Sequence, residues 1–115
     1  MLAALLTAPA RDGPLPVLLT ADLNAAPGTP EIRALTDVMV DAWVAAGGGA
    51  DGGHTLRAGN PLAPRGAWWL LDRRIDYVLA RPVVVERAFV AGDPRDGVVV
   101  SDHDAVVADL RVERP

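Results

Sequence analysis

A chain of 115 residues, half of them hydrophobic and 23% charged, is long enough for one domain with a buried core and too apolar to stay disordered. Its net charge of −4 lacks the electrostatic footprint of a tight, non-specific nucleic-acid binder, though not of a protein that holds nucleic acid through a metal. The absence of cysteine excludes disulfides, thiolate catalysis and cysteine-bound zinc, and two histidines are too few for a histidine-rich zinc site.

In chain order, residues 2–9 place Leu2, Leu5 and Leu6 at helical spacing with no basic residue ahead of them, which predicts a helix face rather than a signal peptide. Arg11-Asp12-Gly13-Pro14 predicts a turn. The continuous apolar run at 17–21 predicts a strand buried on both faces. Thr29-Pro30-Glu31 predicts a helix start, with Thr as N-cap, Pro at the first helical position and an acid in the first turn. That helix is expected to reach about Met39 and to bury Ile32, Leu35 and either Val38 or Met39. The glycine-rich stretch 47–53 predicts a flexible loop, 54–57 a short strand and 59–66 a second loop. Strands are expected at 74–79, 83–90 and 105–112, separated by Arg81-Pro82 and by the turn residues of 92–97. Neither a repeat nor a linker divides the chain, so residues 1–115 are expected to form one domain. No apolar stretch approaches the roughly 20 residues needed to span a bilayer, and the cytoplasm is the default expectation.

Three apolar runs carry acids or a histidine near one end. Leu18-Leu19-Thr20-Ala21-Asp22-Leu23-Asn24 ends in Asp-x-Asn. If the extended geometry continues, Asp22 and Asn24 project to one face, where the acid can orient or deprotonate water and the amide can donate to a phosphoryl oxygen. The alternative is a simple turn, which both residues favour. Asp76 sits in Arg74-Ile75-Asp76-Tyr77-Val78, where an unpaired carboxylate is costly to bury. It needs a cationic partner, and either a protonated histidine or an ion pair with Arg73 or Arg74 satisfies that need.

Ser101-Asp102-His103 opens the final strand. An imidazole there can stabilise or protonate a phosphoryl oxygen, and a neighbouring carboxylate raises its pKa and fixes its tautomer. Asp102 can instead bind a hard cation such as Mg²⁺. His54 has no adjacent acid and reads as a loop histidine. Trp68 and Trp69 either line a substrate groove, with Trp69 the candidate contact, or divide into one buried and one partly exposed ring. Ser101 lacks the Gly-x-Ser-x-Gly setting of a serine nucleophile.

Together these segments resemble the C-terminal half of the endonuclease/exonuclease/phosphatase superfamily of metal-dependent phosphohydrolases. Thr20-Ala21-Asp22-Leu23-Asn24 is similar to its Gly-Asp-Phe-Asn strand end, and Thr29-Pro30 and Asp41-Ala42-Trp43 to the landmarks that follow. Arg74-Ile75-Asp76-Tyr77-Val78 resembles its Arg-Ile-Asp-Tyr-Ile, and Ser101-Asp102-His103 its terminal Ser-Asp-His. The ordered set covers residues 16–112. By this resemblance the fold is α/β (α+β), half of a four-layer sandwich with a mixed β-sheet and flanking helices. Asp22 would activate the attacking water, Asn24 would contact the scissile phosphate and Asp76 would orient His103. His103 would stabilise the transition state, and Asp102 would serve at the metal, Mg²⁺ or Mn²⁺. The implied substrate is a phosphoester: nucleic acid, phospholipid or a small phosphodiester.

Departures from the pattern set the remaining expectations. Ala21 stands where the family has Gly, Leu23 where it has Phe, and Asp104-Ala105 follows His103 in place of Arg or His and then Pro. The N-terminal half of the family domain, with an Asn, a metal-binding Glu and a further His or Tyr, has no counterpart in these residues. Weak or absent activity of the chain alone is therefore expected, with a homodimer or the missing half as partner. The competing expectation is a non-catalytic interaction module that binds through an uncovered sheet face. Substrate choice would rest on the loops at 47–53 and 59–69.

Overall fold

The computed structural model describes residues 15–64, 71–92 and 97–113, so the helix expected at 2–9, the turn at 11–14 and Trp68 and Trp69 lie outside the described residues. The described elements, in order, are β1 (Val17–Asp22), α1 (Pro30–Thr36), β2 (Val40–Asp41), α2 (Ala42–Ala45), β3 (Asp76–Arg81), β4 (Val84–Ala91) and β5 (Ala105–Arg111). They form a three-stranded sheet in the order β1-β3-β2 and a two-stranded sheet of β4 and β5. The α+β expectation holds, and every described pairing is antiparallel.

The central strand β3 organises the core. Its Tyr77, Val78, Leu79 and Ala80 are all buried, because both edges are hydrogen-bonded and both faces are covered. β1 lies at the sheet edge and alternates instead: Val17, Leu19 and Ala21 are half-buried, whereas Leu18, Thr20 and Asp22 face outward. The expectation that β1 is buried on both faces fails for that reason.

Pro30 starts α1 after an extended Thr29, but the Thr29 hydroxyl donates to the Ala26 carbonyl (2.9 Å) rather than capping the helix. The helix stops at Thr36, three residues before the expected end. The amides of Val38 and Met39 both turn back to the Leu35 carbonyl, at 3.1 and 2.9 Å, which frees Val40 to pair with Ala80. Met39 is buried and Val38 is not. Ile32, Leu35, Met39, Tyr77 and Leu79 form the core cluster, with Val17, Leu19, Leu23 and Ala25 packed against it. Burying each such aliphatic side chain contributes about 1.5–3 kcal/mol before entropy is counted.

At the junction of β2 and α2, Asp41 serves twice. Its Oδ1 accepts from the Trp43 amide (3.1 Å), capping α2, and both its oxygens accept from the Arg74 guanidinium at 3.1 and 2.8 Å. Both side chains of this ion pair are buried.

β4 and β5 pair along their length, with a bulge between Val85 and Arg87. β5 packs beside β3 without joining its sheet, because β1 and β2 already occupy the two edges of β3. The mixed β-sheet expected from the resemblance is thus two antiparallel sheets among the described residues. The strand expected at 54–57 reduces to a single bridge between Leu56 and Arg73. Among the described residues, no helix is long and apolar enough to cross a membrane.

Candidate active site

The register of β1 against β3 sets Asp22 directly opposite Asp76. Two carboxylates facing each other across a ladder repel, so a positive group beside them is electrostatically favoured. His103 supplies it. Its Nδ1 lies 2.8 Å from Asp76 Oδ2. A carboxylate is an acceptor only, so Nδ1 carries the hydrogen and Nε2 is left to face outward chemistry. Ligand atoms of Asp22, Asp76 and His103 all lie within 4.8 Å of one another. Residues 22, 76 and 103 thus converge from β1, β3 and the loop before β5.

Burial lowers the pKa of His103, but its hydrogen bond to Asp76 and the negative charges of Asp76, Asp102 and Asp22 outweigh it. The net shift is upward from the usual imidazole value.

Asn24 takes a left-handed backbone conformation (φ 48°), and its amide donates to Asp22 Oδ1 at 2.8 Å. The extended geometry therefore does not continue past Leu23, whose amide makes a ladder-like bond to the Ile75 carbonyl (2.9 Å). The turn locks one Asp22 oxygen to the backbone and leaves Asn24 exposed. Asp102 is exposed beside His103 and lies outside the group of three. Trp69 lies outside the described residues. His54 remains a loop histidine, 3.9 Å from Asp72.

Asp76 takes the histidine of its two expected partners, whereas Arg74 goes to Asp41, 33 residues away in sequence. Sequence reasoning also missed the residues that hold the site. The buried Thr55 accepts the amides of Ile75 (3.3 Å) and Asp76 (3.2 Å) on its hydroxyl, and its carbonyl accepts the Asp104 amide at 2.7 Å. Asp104 is buried and pairs with Arg57, and a Cβ at residue 92 would overlap its carboxylate, so the close approach requires Gly92. Asn60 Nδ2 donates to the carbonyls of Ser101 (3.0 Å) and Asp102 (3.2 Å). These contacts span dozens of residues, and no local pattern announces them.

In comparisons with known proteins, the chain matches the endonuclease/exonuclease/phosphatase family over residues 1–103. No curated protein and no solved structure matches it.

Proposed function

This chain belongs to the endonuclease/exonuclease/phosphatase family, a family of phosphoester hydrolases, and from that premise we propose that it cleaves a phosphodiester by in-line attack of water at the Asp22–Asp76–His103 cluster. The observation that carries the reading is the convergence of two facing carboxylates and one imidazole, with the imidazole oriented by the second carboxylate.

In this reading Asp22 orients the water and accepts its proton as the new P–O bond forms and the bond to the leaving oxygen breaks. His103, held as imidazolium by Asp76, donates from Nε2 to a phosphoryl oxygen where negative charge accumulates. The Asn24 carboxamide donates to a second phosphoryl oxygen. Asp76 reaches substrate only through His103.

The donor set suits a hard divalent cation. Asp102 and Asp22 present exposed carboxylate oxygens, and Mg²⁺ is commonly held by one or two carboxylates with water and substrate completing the shell. Asp76 Oδ2 and His103 Nδ1 engage each other, so Asp102 and Asp22 are the proposed ligands. When bound, Mg²⁺ or Mn²⁺ neutralises charge developing on the phosphate. The net charge of −4 favours a small or lipid phosphodiester over duplex DNA.

The test is hydrolysis of bis-p-nitrophenyl phosphate by the purified chain with Mg²⁺ or Mn²⁺, then with excess EDTA. Turnover that EDTA abolishes and added metal restores supports the reading. Turnover indifferent to EDTA contradicts it, and a folded chain with no turnover contradicts cleavage by this chain alone and leaves the expectation of weak or absent activity standing.

A further inference from the structure

The two halves of the dyad come from different sheets. Asp76 opens β3 in the three-stranded sheet, and His103 precedes β5 in the other. Among the described residues no ladder hydrogen bond joins those sheets. The segment from Thr55 to Asn60 makes hydrogen bonds at the start of β3 and just before β5.

Thr55 is fully buried and bonds in both directions. Its hydroxyl oxygen takes the amides of Ile75 and Asp76, and its carbonyl takes the amide of Asp104. The residue that anchors the backbone of Asp76 thus also anchors the residue after His103. Arg57 pairs with Asp104, two positions along the same segment. Asn60, also buried, donates to the carbonyls of Ser101 and Asp102 on the other side of His103. Its Oδ1 accepts the Leu62 amide at 2.9 Å, which fixes the orientation of the carboxamide. His103 is therefore clamped on both flanks by one segment that also grips Asp76.

We infer that Thr55 and Asn60 are positioning residues that set the hydrogen bond between His103 Nδ1 and Asp76 Oδ2. Neither belongs to the proposed reacting set, and both act through the dyad. Their catalytic meaning rests on the hydrolytic reading above, whereas their effect on the imidazole does not.

The experiment reads the tautomer of His103 by ¹⁵N NMR of the imidazole nitrogens, without substrate, at a pH where the ring is neutral. The Asp76 partner holds the proton on Nδ1; an imidazole released from it prefers Nε2. Asp76→Ala gives the released signature. Thr55→Val removes the hydroxyl acceptor at nearly constant shape and is expected to move His103 toward that signature. Thr55→Ser keeps the hydroxyl and is expected to retain the Nδ1–H form. Asn60→Ala is expected to shift the tautomer as well, and if Thr55→Val does not fold, Asn60→Ala alone decides. Folded Thr55→Val and Asn60→Ala chains that both keep the Nδ1–H form overturn the inference, as does a Thr55→Ser shift equal to that of Val.

Turnover provides a second readout. Thr55→Val is expected to lower kcat about tenfold or more with KM little changed, and Thr55→Ser to restore it. A tautomer shift in a chain with no turnover refutes cleavage by this chain alone and leaves the positioning role standing. An unmoved tautomer in an active chain refutes the positioning role alone.

Discussion

Replacing Asp41 by alanine is expected to remove a large share of the stability of this domain. Both side chains of the Arg74–Asp41 pair are more than nine-tenths buried, at 7% and 8% exposure. Removing one partner of such a pair leaves the other charge desolvated, which costs about 3–5 kcal/mol. Asp41 also caps α2 through the Trp43 amide, and losing a cap adds about 1 kcal/mol. The sum is about 4–6 kcal/mol, against a total of roughly 5–15 kcal/mol for a typical domain. Little can substitute for Asp41. Arg74 stacks over the Tyr77 ring at 4.8 Å, and its Nε is buried with no hydrogen-bond partner among the described residues. Urea denaturation followed by circular dichroism measures the loss, with the midpoint and slope fitted separately. Asp41→Asn keeps a cap acceptor and is expected to lose less than the alanine variant. Replacing Asp41 and Arg74 together by Leu and Met is expected to cost less than Asp41→Ala alone, because no charge is then left unpaired. A loss below about 1 kcal/mol for Asp41→Ala would refute the reasoning, since it would mean that Arg74 regains water without cost.

Two further predictions concern titration. His103 has a folded pKa above its unfolded value, so its contribution to stability is full below about pH 6.5 and is lost as pH rises through the folded value. Asp76→Asn removes the main upward cause, so the unfolding free energies of the two proteins should differ more at acid pH than at alkaline pH; a gap that is flat or grows with pH contradicts this. Tyr77, the only tyrosine, is pushed by burial to a pKa of about 12. Its phenolate absorbance should therefore rise about two pH units later than that of an exposed tyrosine, and stability should fall from about pH 10 upward as the unfolded chain ionises first. A midpoint near 10 in the folded protein would refute the burial argument.

Much of the fold was legible because the apolar runs are strong and punctuated. The strands carrying Asp22 and Asp76 and the one that follows His103 lie where their hydrophobic patterns place them. The cost of burying a lone carboxylate called for a cationic partner for Asp76 but left a histidine and Arg73 or Arg74 equally open, and only the ordered family motifs pointed to His103. What escaped is long-range. Asp41 and Arg74 find each other across 33 residues, and local reasoning offered Arg74 to its neighbour Asp76 instead. Thr55 falls in the short strand expected at 54–57 and Asn60 in the loop expected at 59–66, and neither position carries a local signal of its partners. Those partners, residues 75 and 76 on one side and 101, 102 and 104 on the other, are all distant in sequence. The early end of α1 reflects tertiary demand as well: Leu35 and Met39 enter the core only if the chain turns at Asp37 and returns through Val40 to the edge of β3.

In the proposed hydrolysis of a phosphodiester, His103, oriented by Asp76, stabilises the developing charge. The most direct measurement compares steady-state hydrolysis of bis-p-nitrophenyl phosphate by the unsubstituted chain and by His103→Ala, both saturated with Mg²⁺ or Mn²⁺ and both shown to be folded. Loss of a charged donor to the transition state predicts a fall of about 10²–10³ in kcat. Turnover in His103→Ala within a few-fold of the unsubstituted chain would contradict the claim and place the chemistry elsewhere.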